Sequence, residues 1–102
     1  MSKYARRVDA NQDQIVSALR AHGAYVRIIN QGDGIPDLLV GYTNPATGNK
    51  YTLLLEVKDG NKPPSARKLT PPEEKFFFEW RGAHLSIVES PEQAIAALKS
   101  CL

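Results

Sequence analysis

Two apolar runs, DLLVGY (Asp37 to Tyr42) and YTLLLEVK (Tyr51 to Lys58), are separated by eight turn-forming residues, TNPATGNK. Runs of this length joined by so short a connection pair antiparallel. If Thr43 to Lys50 form the loop, Tyr42 faces Tyr51. Stepping back along both strands then brings Asp37 opposite Glu56. Side chains alternate across a strand, so Leu54, Glu56 and Lys58 share one face while Leu53, Leu55 and Val57 share the other. A slip of one residue would move Asp37 to the opposite face. In this register two carboxylates and one ammonium gather at one end of an apolar hairpin.

Like charges directly opposed destabilise a strand pair, and strand ends against a core are poor places for charge. Lys58 offsets part of the repulsion, and a divalent cation offsets more. Mg²⁺ is held by one or two carboxylates together with waters and substrate phosphate oxygens. Asp37 and Glu56 supply the carboxylates, and the main-chain carbonyl of Val57 stands ready as a third ligand. The structural alternative is that Asp37 caps a turn and Glu56 pairs with Lys58 at a solvated strand end.

The remaining chain supplies helices around this hairpin. Val8 to His22 has helical spacing at Val8, Ile15, Val16 and Leu19, with Asp9 as cap and Gly23 just past the end. Ala24 to Asn30 reads as a strand and QGDGIP as a glycine-rich turn. Lys62, Arg67 and Lys68 lie in the loop Asp59 to Thr70. Thr70, Pro71 and Glu73 form a capping-box pattern opening a helix that runs to Gly82. Phe76, Phe77 and Trp80 form its core-facing stripe, and Phe78 points elsewhere. Ala83 to Val88 is a fourth strand, and Ser90 with Pro91 opens a last helix whose Ile95 and Leu98 face in. The order is αβββαβα, in one domain over 1–102, with 1–7 a basic arm (Lys3, Arg6, Arg7) that either contacts a partner or solubilises the chain.

Composition narrows the function classes. A chain of 102 residues, 42% apolar, supports one small core, and a net charge of +2 permits a nucleic-acid partner without requiring one. One cysteine and two histidines are too few for a four-ligand zinc site. No apolar run reaches the roughly 18 residues of a membrane span, and the N-terminus has no signal-peptide core. The expected localisation is cytoplasmic, in a bacterial or phage-infected cell, with no membrane partner and no small-molecule cofactor.

Pro36-Asp37, eighteen residues, then Glu56-Val57-Lys58 resembles the signature of the PD-(D/E)XK nuclease superfamily. GDGIPDLLVGY, LLLEVKDG, KPPSARKLTPPEEKFFFEW and the following RGAH extend the resemblance to the small phage-type VRR-NUC branch, over nearly the whole chain. The resemblance implies an α/β (α+β, mixed-sheet) fold with a restriction-endonuclease-like αβββαβ core and a C-terminal helix. It implies a metal-dependent DNA endonuclease, acting on flaps or four-way junctions as a homodimer. Asp37, Glu56 and the Val57 carbonyl would hold Mg²⁺, with Mn²⁺ able to substitute, and Lys58 would orient water and stabilise charge. An unassisted general-base role for Lys58 conflicts with its two carboxylate neighbours, which favour the ammonium.

One position departs from the pattern. Many members carry a glutamate on the first helix, whereas this chain offers Gln12 on the apolar face, or Gln14 off it. Glutamine adds no charge, which favours one ion over two and keeps open a non-cleaving or partner-dependent nucleic-acid-binding module. Glu74 stands where relatives often carry glutamine, and either contacts the site or decorates the helix. Lys62, Arg67 and Lys68 are candidates for tracking the phosphate backbone, and Gly34 for letting it approach.

Overall fold

The computed structural model describes residues 10–101. The basic arm and the proposed Val8 and Asp9 start of the first helix lie outside the described residues. The elements are α1 (Gln12–Ala21), β1 (Tyr25–Ile28), β2 (Leu38–Thr43), β3 (Lys50–Val57), α2 (Pro71–Glu79), β4 (Leu85–Val88) and α3 (Pro91–Lys99), with a 3₁₀ turn over Pro64–Ala66. The expected order αβββαβα holds, and the 3₁₀ turn lies inside the stretch read as a plain loop.

The four strands make one mixed sheet in the order β1-β2-β3-β4. β1 pairs antiparallel with β2, β2 antiparallel with β3, and β3 parallel with β4. Tyr42 faces Tyr51 and Leu38 faces Leu55, so the hairpin register is the expected one. The turn is six residues, because Thr43 and Lys50 also pair. Buried Asn44 organises it, its side-chain oxygen accepting from the Ala46 N–H at 2.8 Å.

Period-two alternation sorts the sheet into two faces. One face carries Val26, Leu38, Val40, Leu53, Leu55, Val57 and Val88, and packs against Ile15, Val16 and Leu19 of α1 and Ala94 and Leu98 of α3. Both helices owe their place to apolar residues three and four apart. The other face carries Leu39 of β2, and Leu54 and Glu56 of β3. That face receives α2, none of whose residues is buried, and the loop before it.

Several boundaries differ from expectation. α1 begins later because Asn11 is its N-cap, and the Asn11 side chain makes no capping bond. It donates instead to the carbonyls of Lys58, at 3.0 Å, and Glu89, at 2.8 Å, tying together the chain just beyond β3 and β4. α2 stops at Glu79, where Trp80 turns extended. The stripe of Phe76, Phe77 and Trp80 is not core: Phe76 and Phe77 are half-buried and Trp80 is exposed. Phe76 and Trp80 stack on each other, with centroids 5.5 Å apart. An amphipathic pattern forms the helix, but among the described residues no second layer lies above α2 to cover it.

Candidate active site

The acid pair forms where β2 and β3 begin to part. The paired register ends at Leu38 opposite Leu55, and one further residue brings Asp37 beside Glu56. Both are buried, at 4% and 3% exposure, and Lys58 follows at 8%. The Val57 N–H donates to Asp37 Oδ2 at 2.7 Å. Leu54 and Lys58 direct their N–H groups to the β4 side, to the carbonyls of His84, just before that strand, and of Val88, its last residue. Alternation therefore turns the Val57 amide and carbonyl to the β2 side, where the next register position is Pro36. Proline has no N–H to offer, so that strand leaves the Val57 carbonyl open.

Lys58 Nζ lies 2.8 Å from Glu73 Oε1 and 3.5 Å from Glu56 Oε2. Glu73 belongs to the capping box of α2: it also accepts the Thr70 N–H at 2.8 Å, while Thr70 accepts the Glu73 N–H. The helix start thus holds Lys58 in place. Of the two alternatives for Glu74, decoration of the helix is the one that matches its exposure, and it is Glu73 that reaches the site. The capping pattern was visible in the sequence, but its oxygen also facing Lys58 depends on how α2 docks.

The electrostatics are asymmetric. Burial, then the charge of Asp37 and contact with Glu73, pushes Glu56 up to about 9. Burial also raises Asp37, opposed by the hydrogen bonds from Val57 and Asn30. Lys58 is lowered by burial, but Glu73 and then Glu56 more than reverse this, and its pKa is raised. Glu73 is raised by burial and brought below its ordinary value by the hydrogen bonds from Lys58 and Thr70. Without a cation, these shifts favour the protonated acid at Glu56 and the ammonium at Lys58. Buried Glu56 Oε1 has no hydrogen-bond partner.

These groups open into a cleft of about 560 Å³ whose lining also includes Asn30, Lys62, Ser65 and Lys68. The remaining sequence candidates lie elsewhere. Arg67 is half-buried and pairs with Glu89 at 3.2 Å, away from the cleft lining. Gln12 is buried on α1 and does not line the cleft. Gly34, at φ +80°, sits against the first turn of α2, where a Cβ would overlap the Pro72 carbonyl. Its glycine has a packing reason, and it too is absent from the lining. A more apolar groove of about 450 Å³ between α1 and α3 contains neither acid of the pair.

Among the described residues no three His, Cys, Asp or Glu side chains form a metal cluster. Two buried carboxylates, one with an unsatisfied oxygen, and an open carbonyl nevertheless fit a hard cation that keeps waters in its shell. The same architecture is found in a solved VRR-NUC domain, with a TM-score of 0.59, 25% sequence identity, and coverage of 89% of this chain and 97% of that one. The chain has a VRR-NUC fold of the PD-(D/E)XK nuclease type. It is a nuclease-type domain. No protein-family model matches the chain, and no curated protein sequence matches it. No helix among the described residues is long and apolar enough to cross a membrane.

Proposed function

We propose that this VRR-NUC-type domain is a Mg²⁺-dependent endonuclease that hydrolyses phosphodiester bonds in DNA. The observation that carries the reading is the buried Asp37–Glu56 pair, with Glu56 Oε1 unpartnered and Lys58 beside it at the floor of a cleft. Asp37, Glu56 and the Val57 carbonyl would hold the cation, and Mn²⁺ would substitute for Mg²⁺. When bound, the cation supplies Lewis acidity, acidifying water and polarising a phosphate oxygen. Lys58, kept as an ammonium by Glu73, faces the negative charge that develops on the phosphate. Lys62 and Lys68 on the cleft wall neutralise flanking phosphates. Branched DNA, flaps or four-way junctions, is the proposed substrate form, with a homodimer presenting two sites to two strands.

The second reading, a DNA-binding module without cleavage of its own, draws on the first helix, where the resembled family often carries a glutamate and this chain has Gln12, buried outside the cleft lining. Labelled single-stranded, duplex, flap and four-way-junction DNA, incubated with Mg²⁺, Mn²⁺ or EDTA, separates the two. Cleavage that needs metal and vanishes in Glu56→Ala supports the nuclease. Binding that persists in EDTA with no cleavage of any substrate supports the module.

A further inference from the structure

The cleft wall holds one polar side chain that strand and helix periodicity does not single out. Asn30 follows β1 and lines the cleft. Its amide nitrogen donates to Asp37 Oδ1, while Asp37 Oδ2 accepts the Val57 N–H at 2.7 Å. Each oxygen of the aspartate therefore has its own donor, one from each side. The two bonds fix rotation of the carboxylate about its Cβ–Cγ bond. In the Glu56 carboxylate beside it, Oε2 lies 3.5 Å from Lys58 Nζ, and buried Oε1 has no hydrogen-bond partner among the described residues.

Asn30 is itself pinned. Its side-chain oxygen accepts the Gly32 N–H at 3.1 Å. An amide oxygen turned to an N–H leaves its nitrogen as the group facing Asp37, so the orientation of the amide follows from the turn. That turn is held in the left-handed region at Gly32, Asp33 and Gly34, and Gly34 abuts Pro72 of α2. The glycine-rich segment thus works as a bracket for Asn30.

We propose that Asn30 is a positioning residue that orients Asp37 for divalent-cation binding. The inference rests on the metal-dependent reading of the site and adds a residue to it. Groups that hydrogen-bond a ligating carboxylate are worth about 10–100-fold in metal affinity when removed. Asn30 acts through its bond to Asp37, so its loss should lower both cation affinity and turnover.

The test is calorimetric titration of Mn²⁺ and Mg²⁺ into the wild-type chain, Asn30→Ala and Asn30→Ser, with melting curves in EDTA and in saturating Mg²⁺. Asn30→Ala is expected to bind about 10–100-fold more weakly and to show a smaller Mg²⁺-induced rise in Tm. Asn30→Ser, which keeps a donor, is expected to recover part of both. Affinity in Asn30→Ala equal to wild type overturns the inference. If wild type binds neither ion, the metal reading itself fails, a distinguishable result. If Asn30→Ala does not fold, the Asn30 side-chain amide signals of the wild type decide in a Mg²⁺ titration. Signals that shift in step with binding support the proposal, and signals unmoved at saturation overturn it.

Discussion

Glu56 is the most perturbed acid in the cleft. It is buried, it faces Asp37, and its pKa rises from an ordinary 4.5 to about 9. An acid whose folded pKa is raised stabilises the fold fully only below its unfolded pKa, and that stability drains away as pH climbs to the folded value. The window is therefore about 4.5 to about 9. Asp37, also raised, adds to the loss. Glu73, lowered, changes stability only in more acidic solution, and Lys58, raised from 10.5, only in more basic solution. Melting in EDTA should thus show a lower Tm at about pH 8.5 than at about pH 5.5, within the range where protein stability often varies through such groups. Glu56→Gln should flatten that slope, and Mg²⁺ should raise the Tm at the higher pH in wild type but not in the variant. A wild-type Tm in EDTA that is unchanged or higher at the alkaline pH would contradict this account of the pair.

At the level of elements, the site is a meeting of the β2–β3 hairpin with the start of α2. Gly34 sets that approach. Gly34→Ala adds a Cβ onto the Pro72 backbone at a φ of +80°, and should cost about 1–3 kcal/mol in urea unfolding. Glu73→Ala removes the partner of both Lys58 and the Thr70 N–H, at an expected cost of about 1–3 kcal/mol and with a fall in turnover. The hairpin and its acid pair were legible in the sequence because alternation penalises any slip by turning every leucine outward. The roles of Asn11 and Glu73 were not, since their partners lie far along the chain: Asn11 reaches Lys58 and Glu89, and Glu73 reaches Lys58. Asn30 is nearer to Asp37, but its amide is aimed by a left-handed turn that side-chain periodicity does not describe. The aromatic stripe of α2 misled for a different reason. Apolar spacing identifies the face of a helix but not whether another layer exists to bury it.

Across the whole molecule, α1 and α3 bury one face of the sheet, leaving the other to α2 and the cleft. Asp37, Glu56 and Glu73 line the cleft together with Lys62 and Lys68, so in the proposed reading a cation offsets the acids before a phosphate settles there. Replacing Lys62 and Lys68 together by alanine should flatten the dependence of log K for DNA on log salt by about 0.9 for each duplex phosphate no longer neutralised. Fluorescence anisotropy across a salt series checks this, and an unchanged slope would remove both lysines from the interface. The central claim is the cation itself, and crystals soaked in Mn²⁺ test it most directly through the anomalous difference map. The account predicts a peak in the cleft coordinated by Asp37, Glu56 and the Val57 carbonyl, absent in Glu56→Gln crystals. A fully soaked crystal with no peak between those three groups would contradict it.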